Sequence, residues 1–240
     1  MCFIHGKPLL ALCVCVVLLT EAKSIQAQSI YHPEGLNLGD EYRLIFLTAG
    51  KRDATSSDIE DYNSFVNSEA LALDSIVRDL DVEWRAVAST TEIDAIDNTG
   101  TDPSLPGETG VPIYLVDGAT RFVDHYDNLW DPESLGGSYH SGANITQIGT
   151  KVVQIANDTW TGTDFFGLAG GLGGPLGSPS PSLGISNTTN SRWINNKSAS
   201  IATEPLSFYA LSSVLTVVPE PSGAALILMS AFGIGRRRLS

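Results

Sequence analysis

Two short stretches of the chain concentrate side chains that could bind a metal ion. The first runs from Asp94 to Asp102, and the second runs from Asp124 to Glu133. Each places several carboxylate and amide oxygens in one loop, which is the kind of ligand set that Ca²⁺ requires. The second stretch provides the candidate calcium ligands, which are Asp124, Asp127, Asp131 and Glu133.

An alternative interpretation of both stretches needs no metal. Neither has the ligand spacing of an EF-hand loop. Turns rich in Asp and Asn also satisfy their own backbone groups. If no cation balances the carboxylates around Asp124, their mutual repulsion is expected to raise their pKa values.

The four tryptophans fall into two groups. Trp84, Trp160 and Trp193 lie in apolar segments, so we expect them in the core. Trp130 lies between Asp127 and Asp131, and it is the tryptophan that we expect to be exposed. Because an exposed indole can stack on a sugar ring, Trp130 is a candidate binding residue.

The sequence lacks the common signatures of catalysis. The histidines beyond residue 27 are His32, His125 and His140, and none belongs to an HExxH motif. No Gly-x-Ser-x-Gly turn provides a serine nucleophile. The carboxylate pair of a glycoside hydrolase is defined by its separation in space. We therefore predict a noncatalytic protein, with a secreted hydrolase as the alternative.

The elements that must position these residues indicate an α+β fold. Glu41 to Thr48 is an apolar strand, and Ser57 with Glu60 is typical of a capping box that begins a helix. The buried face of that helix is predicted to contain Ile59, Tyr62, Phe65, Val66, Ala70 and Leu73. Further strands are predicted at 84–89, 111–116, 119–123, 151–155, 159–162, 192–194 and 208–218, with a short helix at 91–96. The last strand can pair with the first. This order of elements is typical of an α+β fold rather than of alternating βαβ units.

Residues 1–27 have the features of an export signal. Lys7 precedes an uninterrupted apolar run from Leu9 to Leu19, and small residues follow. All three cysteines, Cys2, Cys13 and Cys15, lie in this segment. The exported chain is therefore expected to contain no disulfide, no Cys-ligated metal and no Cys nucleophile.

Residues 219–240 have three parts in a fixed order. Pro219, Glu220 and Pro221 precede one apolar segment, and Arg236, Arg237 and Arg238 follow it. This arrangement resembles the PEP-CTERM sorting tail. The resemblance implies a Gram-negative-type bacterium in which signal peptidase and exosortase process the protein. It also implies a transient inner-membrane anchor and a final location in the cell envelope or extracellular matrix. The alternative is a permanent C-terminal membrane anchor.

The segment between these ends, residues 28–218, is acidic. It holds nine basic and 25 acidic residues, which gives it a formal charge of −16. The formal charge of the whole chain is −13. Such a charge argues against a nucleic-acid partner. Single carboxylates spread along the segment are typical of a solvated surface.

The 28–218 segment also resembles the C-type-lectin-like fold, in particular its endostatin-like branch. The resemblance rests on Trp84–Ser89, Val111–Gly118, Leu129–Trp130, Thr159–Thr163, Arg192–Ile194 and Phe208–Leu211. The segment departs from that family because it lacks the usual disulfides and any Glu-Pro-Asn or Gln-Pro-Asp tripeptide. The resemblance implies a binding or structural protein with exopolysaccharide as a candidate ligand. A β-sandwich is the alternative fold.

Overall fold

Residues 30, 32–105, 110–130, 139–153 and 157–218 are described by a computed structural model. The predicted signal at 1–27 and the predicted sorting tail at 219–240 lie outside the described residues. Within the described part, no helix is long and apolar enough to cross a membrane.

The described strands form one sheet around a long first strand, β1 (Glu41–Leu47). The other strands are β2 (Trp84–Ala86), β3 (Ile113–Leu115), β4 (Arg121–Val123), β5 (Asp158–Trp160), β6 (Ser182–Ile185), β7 (Lys197–Ser198), β8 (Ser207–Ser212) and β9 (Leu215–Thr216). Their order is β4-β3-β1-β8-β5-β6-β7, with β2 paired to β8 and β9 paired to β1. This connected sheet differs from the two packed sheets of the alternative β-sandwich.

The predicted pairing of the first strand with the last is confirmed. β8 and β9 both run antiparallel to β1, while β3 runs parallel to it. The predicted hairpin is also confirmed, because β3 and β4 pair antiparallel across a turn at Asp117 and Gly118. Gly118 adopts a φ of 67°, a conformation that favours glycine at this turn.

Three short α-helices connect the described strands. They are α1 (Ile59–Ala70), α2 (Ala95–Thr99) and α3 (Tyr126–Leu129). The short helix predicted at 91–96 is present as α2, but it begins only at Ala95. The fold is therefore a mixture of α and β elements with many strands and few helices.

Helix α1 differs in detail from its prediction at both ends. Its N-cap is Asp58 rather than Ser57, because the Asp58 side chain accepts the Glu60 N–H at 3.0 Å. The helix ends at Ala70, so Leu73 lies beyond its buried face and is 86% exposed. The predicted positions Ile59, Tyr62 and Val66 are buried as expected.

The core is built around buried aromatic rings. Trp84, Trp160 and Trp193 are at most 2% exposed, which confirms that they are core residues. The Trp193 ring lies 5.0 Å from the Phe122 ring and 5.2 Å from the Tyr209 ring, measured between centroids. Such tilted contacts suit the charge distribution of aromatic faces and edges.

Two predicted strands are not observed as predicted. Arg192–Ile194 is not a strand, because Ser191–Trp193 forms a 3₁₀ helix whose N-cap is Asn190. That turn packs so closely on β6 that a Cβ at Gly184 would overlap the Trp193 carbonyl group. Of the strand predicted at 151–155, residues 154 and 155 lie outside the described part. Lys151 forms only an isolated bridge with Ile145.

Candidate functional site

A surface groove lies between α1, β2 and α2. Its volume is about 460 Å³. The groove is lined by Arg43, Ile59, Glu60, Glu83, Arg85, Ile93, Asp97, Asn98, Thr99, Gly100, Ser212 and Ser213. Most of these side chains are polar, and the apolar ones are Ile59 and Ile93. A concave surface with a few polar groups is the usual form of a small-ligand site.

One wall of the groove is strand β2, whose outer edge is closed by asparagine side chains instead of another strand. At Trp84, the backbone N–H donates to the Asn67 side-chain oxygen at 3.1 Å. The Asn67 amide nitrogen donates back to the Trp84 carbonyl at 2.6 Å. A primary amide carries the same donor and acceptor as a backbone peptide, so Asn67 replaces a strand partner at this position.

Asn63 and Asn98 complete the same edge at Ala86. The Ala86 N–H donates to the Asn63 side-chain oxygen at 2.9 Å, and the Asn98 amide nitrogen donates to the Ala86 carbonyl at 2.7 Å. Because Asn63 belongs to α1 and Asn98 to α2, these bonds fix both helices to β2. They set the width of the groove.

Arg85 organises the charged side chains along the groove. One of its guanidinium nitrogens donates to Glu60 at 2.9 Å, and the other lies 2.7 Å from Glu83. Asp97 is an exposed groove residue, and it forms no ion pair with another described residue. The groove therefore presents fixed guanidinium donors beside carboxylate acceptors.

Arg43 forms the floor near α2. It is only 8% exposed, and its guanidinium donates to the Thr99 carbonyl at 2.6 Å. The guanidinium carbon also lies 5.2 Å from the centroid of the Tyr126 ring. This carbonyl contact at the C-terminal end of α2 is favourable because helix C-termini attract cations.

The predicted calcium ligand Asp124 is held by two basic side chains. Its carboxylate accepts from Arg121 at 2.8 Å and lies 3.0 Å from His140 Nε2. Partial burial alone would raise the pKa of Asp124, but the hydrogen bonds from His140 and Arg121 outweigh it and lower the pKa. The expectation of a raised pKa at Asp124 is therefore wrong.

Of the other predicted ligands, only Asp127 lies in the described part. Asp127 is exposed in the first turn of α3, while Asp131 and Glu133 lie outside the described residues. The nearby Asp117 accepts the Ala119 and Thr120 N–H groups at 3.0 and 2.9 Å. No group of three or more His, Cys, Asp or Glu side chains that could hold a metal is found among the described residues.

Two of the three carboxylates in the stretch from Asp94 to Asp102 also bind backbone groups, while Asp97 lines the groove. Asp94 accepts the Ala169 N–H at 2.6 Å, and Asp102 accepts the Ser104 N–H at 2.8 Å. These contacts match the alternative interpretation, in which Asp side chains stabilise turns.

Trp130 is buried, so the prediction that it is exposed is wrong. It is 5% exposed, and its indole nitrogen donates to Thr101 Oγ1 at 2.9 Å. The reason is helical geometry, because Tyr126, Leu129 and Trp130 share the inner side of α3. Asp127 points outward from the same turn. A position between two carboxylates in sequence does not determine exposure.

Two of the histidines have separate partners. His140 contacts Asp124, and His32 Nε2 lies 2.9 Å from the Leu36 carbonyl oxygen. His125 is exposed at the N-cap of α3. None of the three histidines lines the groove.

The groove was not predicted as one site, although Asp97, Asn98, Thr99 and Gly100 belong to the stretch 94–102 that was considered as a metal-binding loop. A further sequence signal is the pair Asn63 and Asn67, which lie four residues apart in α1 and whose side chains bind β2. Asparagine is unfavourable inside a helix, so such a pair indicates that its side chains make specific hydrogen bonds.

Known proteins give no independent assignment of this site. The chain matches no protein-family model and no curated protein. The described residues form a mixture of α and β elements with a polar surface groove.

Proposed function

We propose that this chain is an exported, noncatalytic protein of the cell envelope or extracellular matrix that binds polysaccharide in the groove. The observation that carries the proposal is the groove itself, in which Arg85 fixes Glu60 and Glu83 beside the exposed Asp97. Sugar hydroxyl groups both donate and accept hydrogen bonds. A wall of alternating guanidinium and carboxylate groups suits them.

The electrostatics favour a neutral polymer. The 28–218 segment carries a formal charge of −16, and an anionic polysaccharide would be repelled by it. Within the groove, Arg85 lies between two carboxylates, so its charge is balanced locally. Ile59 and Ile93 offer apolar surface to the C–H groups of a sugar ring.

The fold proposed for this segment is C-type-lectin-like. Support comes from the pairing of β1 with β8 and β9, from the helix that follows β1, and from the β3–β4 hairpin. The proposed ligand contacts use no calcium. Calcium binding at Asp124, Asp127, Asp131 and Glu133 is a separate proposal.

Export and processing by exosortase are proposed from the sequence alone. They rest on the signal at 1–27, on Pro219, Glu220 and Pro221, and on the three arginines at 236–238. A protein delivered in this way would meet the exopolysaccharide outside the inner membrane.

A secreted hydrolase of matrix polymer is the second candidate. It is favoured by the presence of three carboxylates, Glu60, Glu83 and Asp97, in one groove. Arg85 forms ion pairs with two of them, Glu60 and Glu83. Carboxylates held in this way are better suited to hydrogen-bonding a ligand than to transferring a proton.

Calorimetric titration of the protein from its native host with that host's exopolysaccharide tests the proposal. Wild type is expected to bind, and Asp97→Asn is expected to bind about tenfold more weakly, because about 1.4 kcal/mol of charged hydrogen bonding is lost. Asp74→Asn changes another exposed carboxylate outside the groove and should bind as wild type does. Absence of binding would overturn the proposal. Release of new reducing ends that Asp97→Asn abolishes would favour the hydrolase.

A further inference from the structure

A loop beside the groove presents apolar side chains to solvent. In loop 164–169, Phe166 is 54% exposed and Leu168 is 45% exposed. Phe166 is the one aromatic residue among the large exposed apolar side chains of the described part. Because all four tryptophans are buried in the described part of the chain, Phe166 is the aromatic ring most available for stacking.

The loop that carries Phe166 is fixed by its own hydrogen bonds. The Asp164 carboxylate accepts the N–H groups of Phe166 and Leu168 at 2.8 and 2.9 Å. The Asp164 N–H donates to the Leu168 carbonyl at 2.8 Å. Gly167 permits this tight turn through its φ of 84°. A side chain on a loop held in this way loses little conformational entropy when a ligand binds.

Further hydrogen bonds attach the loop to the segment that ends the groove. The Gly167 carbonyl accepts the Ile96 N–H at 3.1 Å, and the Asp94 carboxylate accepts the Ala169 N–H at 2.6 Å. Ile93, which precedes Asp94, lines the groove and is 37% exposed. These two bonds hold the loop with Phe166 and Leu168 against the segment that carries Ile93. We call these three residues the apolar rim.

We infer that the apolar rim is a second sugar subsite, so that the ligand is a chain of neutral sugars that extends from the groove across Phe166. This inference rests on the proposed function. A pyranose has one apolar C–H face, which matches an exposed aromatic ring, and polar edges, which match the groove. The acidic charge of the segment again disfavours an anionic chain at this surface.

Ligand length distinguishes the rim from the groove. The host exopolysaccharide is partially hydrolysed, and disaccharide and octasaccharide fractions are titrated against the protein. Phe166→Ala is expected to weaken octasaccharide binding about fivefold while leaving disaccharide binding unchanged. Asp97→Asn is expected to weaken both. The matched control is Leu73→Ala, which removes a side chain that is 86% exposed outside the groove and rim.

The possible results separate the rim from the groove. If Phe166→Ala binds octasaccharides as wild type does while Asp97→Asn is weakened, the rim is not a subsite and the proposed function stands. If wild type binds neither fraction, both proposals are overturned. If Phe166→Ala instead dissociates a dimer of the wild-type protein in size-exclusion chromatography, the rim is a protein-docking surface and the inference is wrong.

Discussion

The side chains of Asn63 and Asn98 exchange amide hydrogen bonds in both directions. Asn63 donates to Asn98 at 2.9 Å, and Asn98 donates to Asn63 at 3.0 Å. Both amides also bind the backbone of Ala86 in β2. This pair therefore joins α1, α2 and β2, which are the three elements that shape the groove.

Loss of the Asn63 amide should destabilise the protein. In Asn63→Ala, the Ala86 N–H loses its acceptor in a buried position, which costs about 2 kcal/mol in the free energy of unfolding. Urea unfolding of the protein from its native host measures this change. Asn37→Ala removes an exposed amide and should cost less than about 0.5 kcal/mol. Equal effects of the two variants would show that the β2 edge does not depend on Asn63.

The ion pairs of Asp124 should make stability depend on pH. Folding lowers the pKa of Asp124, so its contribution is present above the unfolded value of about 3.9 and is lost as the pH falls through the folded value. Because the Asp124 side chain is 38% exposed, we expect Asp124→Asn to cost at most about 1 kcal/mol near pH 7. The difference from wild type should shrink as the pH falls below the unfolded value. A difference in the free energy of unfolding that does not change with pH would contradict the pairing with Arg121 and His140.

Sequence patterns predicted the strands and the core better than they predicted the site. Apolar runs identified β1 and β8, and turn residues identified the β3–β4 hairpin, because local chemistry determines both features. Trp193 was correctly placed in the core, but its segment is a 3₁₀ helix because Asn190 caps it. Short-range capping overrode the apolar pattern at that position.

The groove could not be predicted because its residues come together only through tertiary contacts. Glu60 and Arg85 are 25 positions apart in the chain, and Asn63 and Asn98 are 35 positions apart. For Trp130 the wrong prediction came from its neighbours in sequence, because the carboxylates on either side of it suggested that it is exposed. The α3 turn directs it inward.

The last described residues are hydrogen-bonded to the segment just before β1, which bears on processing. The Val217 N–H donates to the Asp40 carbonyl at 2.9 Å, and the Gly39 N–H donates to the Val217 carbonyl at 2.9 Å. Cleavage before Val217 would remove these contacts, so we expect the mature C-terminus at Val218 or beyond it. Mass spectrometry of the native protein should detect neither residues 1–24 nor the arginines at 236–238. An intact C-terminus would contradict the proposed sorting tail.

Stability of the mature protein should not depend on a reducing agent. The 28–218 segment contains no cysteine, so no disulfide can contribute to its fold. The melting temperature of the protein from its native host should be unchanged by dithiothreitol. A lower melting temperature would show that the cysteines at positions 2, 13 and 15 remain in the mature chain.

Hydrogen exchange with and without the exopolysaccharide tests the proposed binding site most directly. Binding in the groove should slow amide exchange in the segments 59–60, 83–85, 93–100 and 212–213, which contain all of its lining residues except Arg43. If the apolar rim also contacts the polymer, residues 164–169 should be protected as well. Protection restricted to residues 124–130, or bound polymer without protection at the groove, would contradict the account.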